Sequence, residues 1–104
     1  DADFVFDARC LPNPYWDPEL RDLTGHDAPV QAFLAAAPAV AGFLRDVTHF
    51  LDTWVPRFAD VNRSYLTIAI GCTGGRHRSV YLVERLAEHF RRAGLKAVTE
   101  HRDS

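Results

Sequence analysis

Apolar side chains recur at helical spacing along the middle of this chain and predict two consecutive helices. Asp27 can cap the first helix, in which Pro29 occupies the first turn. The second begins after Pro38 and is predicted to be the main core helix, because its apolar stripe lasts about five turns. Pro56 is expected to end or bend this helix. The stripe comprises Val40, Phe43, Leu44, Val47, Phe50, Leu51, Trp54, Val55 and Phe58.

Shorter apolar segments predict strands on either side of these helices. Residues 4–6 and 65–70 are rich in aromatic and aliphatic side chains, and residues 96–101 are expected to form a closing strand. An amphipathic third helix lies between the last two segments, and Gly94 is placed to terminate it. A strand, a helix and a parallel strand form a βαβ unit. We therefore predict an α/β fold, a small and mostly parallel sheet with helices on its faces.

Length and composition fit one globular domain spanning residues 1–104. The chain is 47% hydrophobic, yet no stretch approaches the roughly 20 apolar residues of a membrane span. Asp1-Ala2-Asp3 lacks the basic start of a signal peptide, so we expect a cytoplasmic protein with no membrane partner. Cys10 and Cys72 lack metal-finger spacing and are expected to stay reduced.

Charge is distributed unevenly along the chain, although the net charge is only −2. Residues 1–60 hold ten acids and four bases, whereas residues 61–104 hold four acids and eight bases. Eleven of the twelve basic residues are arginine, which favours bidentate phosphate contacts if they share a face. A compositional bias spread over a solvated surface explains the same numbers equally well.

The segment Gly71-Cys72-Thr73-Gly74-Gly75-Arg76-His77-Arg78-Ser79, which we call the glycine loop, follows the 65–70 strand and precedes the third helix. Its glycines can adopt positive φ, so successive N–H groups can point to one centre near the positive end of that helix. Arginine, histidine and hydroxyl side chains add further donors for phosphate or carboxylate oxygens. The loop therefore predicts an anion site at a strand-to-helix turn. The alternative is a tight turn with solvated arginines.

A second loop is expected to reach the same site. The three prolines in the segment from Arg9 to Pro18 exclude regular structure there, and parallel strands place their following loops on one rim of a sheet. Arg9, Asn13 and Tyr15 could therefore contact the same ligand as Thr73 and Arg78.

Cys72 and Arg78 also satisfy the C-x5-R spacing of cysteine-dependent phosphatases. In that chemistry a thiolate at a helix N-terminus attacks phosphorus and the arginine holds the equatorial oxygens. Asp17 is the candidate general acid. The competing interpretation is that Cys72 is an inert residue at the strand end. His26, His49, His89 and His101 show no ligand spacing, so no metal site is expected.

Several of these motifs together resemble the C-terminal domain of the RapZ family, the YvcJ-type nucleotide-binding proteins. The resemblance covers nearly all 104 residues and is carried by residues 3–16, 19–21, 24–25 and 62–79. It implies a non-catalytic domain without a cofactor of its own, since the P-loop of the family's N-terminal ATPase and GTPase domain is absent from this sequence. It also implies binding of glucosamine-6-phosphate, of small RNA and of an endoribonuclease or regulatory protein, and the formation of homo-oligomers.

The loop chemistry and the resemblance together define two sets of candidate residues. The ligand-binding candidates are Arg9, Asn13, Tyr15, Cys72, Thr73, Gly74, Gly75, His77, Arg78 and Ser79. The RNA-binding candidates are Arg76, Arg91, Arg92, Lys96 and Arg102. No catalytic residue is assigned under the leading interpretation, whereas a phosphatase would use Cys72.

Overall fold

The computed structural model describes residues 2–61 and 65–101. Two strands and three helices alternate along this part of the chain, which confirms the α/β class. They are β1 (Phe4–Asp7), α1 (Ala28–Ala35), α2 (Pro38–Ala59), β2 (Ile68–Gly71) and α3 (Arg78–Arg92), with a single 3-10 turn at Pro14–Trp16.

The two strands pair in parallel, with Phe4 opposite Ile68 and Asp7 opposite Gly71. The connection between them runs through α1 and α2, so this is the βαβ unit that the described residues contain. The predicted unit, from β2 through α3 to a strand at residues 96–101, is wrong. Residues 95–101 contain no strand, because this segment forms no ladder with β2.

The core lies between the helices and one face of the sheet. Phe4 and Phe6 lie on the core-facing side of β1. Their rings pack edge-on against Phe50 of α2, with ring centroids 5.6 and 5.9 Å apart. On the other face, Val5 is 71% exposed. The side chains that are almost completely buried include Val30, Leu34, Val40, Leu51 and Leu82. Packing of α2 and α3 therefore fixes the orientation of the strand ends.

The structure confirms Gly94 as a helix-terminating residue, but not the capping role of Asp27 or an end of α2 at Pro56. Asp27 precedes α1, but its carboxylate accepts from the Thr24 N–H at 2.8 Å and caps no helical N–H. Gly94 follows α3 with φ of 87°, and the Leu95 N–H donates to the Phe90 carbonyl at 2.9 Å, as in a Schellman motif. Pro56 does not end α2, which continues to Ala59.

Within residues 2–61 and 65–101, no single helix is long and apolar enough to cross a membrane. Taken as a pair, α1 and residues 38–58 of α2 have the length and composition of a membrane span, but an 85° bend separates them.

Candidate functional site

The loops that follow the two strands begin side by side at one rim of the sheet. Asp7 and Gly71 are paired at the strand ends, and the Ala8 N–H donates to the Gly71 carbonyl at 2.8 Å. The segment after β1 and the glycine loop after β2 are thus neighbours from their first residues. This is the arrangement expected for a ligand site at the carboxyl ends of parallel strands.

The glycine loop turns the chain sharply from β2 into α3. Gly74 and Gly75 have φ of 82° and 61°, a region that other residues rarely adopt. A Cβ at Gly74 would meet no atom within 4 Å, so its backbone conformation, rather than crowding, favours glycine. Thr73 and Gly74 are exposed, and His77 at the N-cap of α3 makes no side-chain capping bond. The tip of the loop can therefore contact a ligand near the positive end of α3.

Cys72 and Ser79 connect the start of the glycine loop to the first turn of α3. The Ser79 backbone N–H points to the Cys72 sulfur at 3.3 Å, and the cysteine side chain is half-buried. A backbone donor at a helix N-terminus is a suitable partner for a thiol or a thiolate.

Arg78 is the most deeply placed charged residue of the loop, with only 3% of its surface exposed. Its Nη1 donates to the backbone carbonyls of Arg9 at 3.0 Å and Leu11 at 2.9 Å, and lies 3.5 Å from that of Ala8. The Nε atom is buried and has no hydrogen-bond partner in the described part of the chain. Arg78 thus ties the two loops together while one of its donors remains unused.

His77 and Gly25 secure the other side of the glycine loop. The His77 ring is buried, and its Nε2 lies 3.0 Å from the Leu20 carbonyl, which can only accept, so Nε2 carries the proton. The Gly25 N–H donates to the Arg76 carbonyl at 3.0 Å. Both contacts hold the end of the loop against the segment that precedes α1.

A cavity of about 740 Å³ lies beside the glycine loop. One wall is formed by Cys72, Gly75 and Ser79, and another by residues 98–101. Its size is within the usual range for small-ligand pockets, roughly 300–1,000 Å³. The glycine loop therefore meets a space large enough for a small phosphorylated molecule.

Comparison with known proteins agrees with this architecture. The family model of the RapZ C-terminal domain matches residues 1–104. The chain belongs to this family.

Relatives of this RapZ C-terminal domain are called nucleotide-binding proteins. The chain is 60% identical to one from Methylobacillus flagellatus over 102 residues, which are 98% of the chain and 36% of the relative. It is 62% identical over 90 residues to one from Chromohalobacter salexigens, covering 86% of the chain and 30% of the relative. A Pseudomonas fluorescens protein is 57% identical over 103 residues, 99% of the chain and 36% of that protein. The chain thus spans about a third of the length of these relatives.

The candidates on the first loop of the RapZ domain have other partners within the chain. Arg9 forms a fork-like contact with exposed Asp7, with distances of 2.7–3.0 Å, and this hydrogen bonding lowers the pKa of Asp7 from 3.8 to about 2. Asn13 accepts from the Tyr15 N–H at 3.1 Å. The Tyr15 ring is 46% exposed and lies under the Arg21 guanidinium. Of the ten ligand-binding candidates, only Cys72, Gly75 and Ser79 line the 740 Å³ cavity.

The RNA-binding candidates lie toward opposite ends of α3. Arg76 precedes the helix, whereas Arg91 and Arg92 end it, and 15 helical residues extend about 22 Å. Arg91 donates to the Ala97 carbonyl at 2.8 Å, and Arg92 contacts Glu88 at 3.1 Å. Lys96 is exposed after the helix. Arg102 lies outside the described residues.

One group of potential metal-ligating side chains could not be predicted from the spacing of residues in the sequence. His26, Glu84 and His101 come from three separate segments, and the fold brings their ligand atoms within 4.8 Å of one another. No short motif could reveal them, because 58 positions separate the first residue from the second.

Proposed function

We propose that this domain is a non-catalytic sensor that binds a phosphorylated amino sugar, glucosamine-6-phosphate or a close analogue, at the glycine loop. Its occupancy would be communicated to an RNA, an endoribonuclease or a regulatory protein. The observation that carries the proposal is the positive-φ glycine loop at the N-terminus of α3, beside a buried arginine. Membership of the RapZ C-terminal domain family supports the same assignment.

The electrostatics of the loop favour an anionic group. The Arg78 guanidinium is buried, and no carboxylate of the described ranges lies within ion-pair distance of it, although Asp7 is near enough for the two charges to interact. A buried cation surrounded by carbonyl dipoles is only partly compensated. A phosphate at the adjacent loop would add the missing negative charge and receive the field of the helix N-terminus. Arg78 would then attract the ligand and also hold the loops in place.

The sugar portion would occupy the neighbouring cavity. Its walls bring the polar groups of Ser79, Thr99 and His101 together with the backbone of the loop. A few polar groups around a mixed surface are what orient a small ligand. A phosphosugar is therefore favoured over inorganic phosphate, which would leave most of the cavity unfilled.

The rival function is a cysteine-dependent phosphatase, which the Ser79 N–H beside the Cys72 sulfur favours. That mechanism requires the Arg78 fork to face the equatorial phosphate oxygens. Instead its Nη1 contacts loop carbonyls, and the Asp17 carboxylate accepts the Glu19 N–H at 2.9 Å. These contacts favour binding over catalysis. Aryl phosphate hydrolysis that disappears in Cys72→Ser would reverse this preference.

RNA recognition would depend on the exposed basic side chains along and beyond α3. Basic side chains dispersed in this way make weak contacts to the phosphate backbone of RNA, and the affinity of such binding falls steeply with salt concentration. Binding to a small RNA should therefore be measured at low and high salt, with and without glucosamine-6-phosphate. An RNA affinity that changes with neither salt concentration nor glucosamine-6-phosphate would contradict the proposed sensor.

The decisive experiment is calorimetric titration with glucosamine-6-phosphate, using glucosamine and inorganic phosphate as controls. Thr73→Val should weaken phosphosugar binding by about tenfold, because a hydrogen bond to a charged group contributes roughly 1.5–3 kcal/mol. Thr53→Val is the matched control, since Thr53 lies exposed on α2 and donates to the His49 carbonyl. Equal affinities for all three compounds, or no binding at all, would overturn the proposal.

A further inference from the structure

A second cluster of functional side chains lies where the segment before α1, the face of α3 and the C-terminal segment meet. His26 comes from the first of these, Glu84 from the second and His101 from the third. His101 Nε2 is 2.7 Å from a Glu84 carboxylate oxygen, and the two imidazole rings are edge-to-face at 5.1 Å. Three chain segments thus direct two imidazoles and one carboxylate to a common point.

The spacing of these atoms is close to that of a coordination shell. Each of the three residues offers a ligand atom within 4.8 Å of the other two. Ligands of a tetrahedral zinc ion are about 3.3 Å apart, since each lies roughly 2.0–2.1 Å from the metal. The longest separation must shorten by up to about 1.5 Å to reach this spacing. Side-chain rotations can supply this movement, because His26 and His101 are exposed and Glu84 is half-buried.

We infer that His26, Glu84 and His101 form a binding site for a divalent transition metal ion such as Zn²⁺. Two imidazole nitrogens and one carboxylate suit zinc and its neighbours, whereas Mg²⁺ and Ca²⁺ prefer all-oxygen shells. Three protein ligands leave a coordination position for water or for a ligand atom.

Binding a metal here would fasten residues 95–101 to the body of the domain. His101 and Thr99 also line the cavity beside the glycine loop, so the ion would fix one wall of that cavity. Metal occupancy and ligand affinity would then be coupled through a shared wall. The metal site itself does not depend on the identity of the cavity's ligand.

The test is calorimetric titration of Zn²⁺, and separately of Mg²⁺, into the chain without a histidine tag. His26→Ala, His101→Ala and Glu84→Gln should each weaken Zn²⁺ binding by at least about tenfold, because loss of even an outer-shell partner lowers metal affinity by roughly 10–100-fold. His49→Ala is the matched control, since this exposed histidine lies on α2, which contributes no residue to the cluster. Circular dichroism spectra would verify that each variant is folded.

The expected result is one Zn²⁺ per chain, little Mg²⁺ binding, and losses confined to the three cluster variants. Failure of the unaltered chain to bind Zn²⁺ would overturn the inference. So would Zn²⁺ binding that survives all three substitutions, or that is lost equally in His49→Ala, because the ion would then lie elsewhere.

Discussion

Replacing Gly25 with alanine tests how closely the segment before α1 packs against the start of α3. A Cβ at Gly25 would lie 2.6 Å from both the His77 carbonyl oxygen and the Tyr81 nitrogen, and 2.9 Å from the Val80 Cβ. The first two atoms are themselves hydrogen-bonded at 3.0 Å in the first turn of α3. The added methyl group would therefore press on backbone atoms that cannot rotate away.

The cost follows from the displacement that this methyl group requires. The segment must withdraw by about 0.8 Å to restore an ordinary contact of 3.4 Å. Overpacking of this kind costs about 1–3 kcal/mol. The withdrawal would also weaken the bond from the Gly25 N–H to the Arg76 carbonyl, worth about 0.5–1.5 kcal/mol. We expect Gly25→Ala to destabilise the domain by about 2–4 kcal/mol.

Gly42→Ala provides the matched control, because it adds the same methyl group within α2. The nearest atom there is the mobile end of Arg45 at 3.7 Å, so no clash arises. Alanine is favoured over glycine in a helix by about 0.5–1 kcal/mol, and this variant should be slightly more stable.

Thermal unfolding followed by far-UV circular dichroism separates the two substitutions. One kcal/mol shifts Tm by about 4–8 °C in a domain of this size. Gly25→Ala should therefore lower Tm by at least about 8 °C, while Gly42→Ala raises it by a few degrees. A Gly25→Ala melting temperature within about 2 °C of the unaltered chain would refute the packing argument.

Three further substitutions test the loop connection, the core and the surface charge. Arg78→Met should lower the free energy of unfolding in urea by about 2–4 kcal/mol, because the Arg9 and Leu11 carbonyls lose their donor. A change in ligand affinity alone would contradict this. Leu51→Ala, at a fully buried position, should cost about 2–5 kcal/mol, and a Tm shift under about 5 °C would be inconsistent with its burial. Arg9→Ala should return the pKa of Asp7 from about 2 toward 3.8 in an NMR titration. Because the folded-state pKa of Asp7 is depressed, its contribution to stability is present above pH 3.8 and lost as the pH falls through about 2. Arg9→Ala should reduce that dependence, while the backbone N–H of residue 9 still donates to the carboxylate.

Local signals were sufficient to predict the helices and the loop at the site. Pro29 and Gly94 mark helix ends through their own backbone preferences, and the stripe of α2 follows from burial of one face. The turn at Gly74 and Gly75 is equally local, because positive φ belongs to the residue itself. Such features require no knowledge of distant contacts.

Features that depend on long-range partners could not be obtained in this way. Residues 96–101 have the composition of a strand, but a strand needs an edge to pair with, and this segment forms no ladder with β2. Likewise, the sequence predicts a phosphate-binding role for Arg78, and nothing local indicates that the Leu11 carbonyl, 67 positions away, accepts its Nη1 donor. The approach of His101 to His26 has the same origin.

The contacts of Arg78 also bear on how a sensor of this architecture would transmit occupancy. Its backbone begins α3, while its guanidinium holds the carbonyls of Arg9 and Leu11 in the loop after β1. That loop leads to the partly exposed Tyr15 and to Trp16, which is 74% exposed. A phosphate that draws the guanidinium toward the glycine loop would weaken its bonds to these carbonyls, since donors directed to an anion are withdrawn from neutral acceptors. Ligand binding at one loop would therefore change the restraint on an exposed aromatic surface at the other.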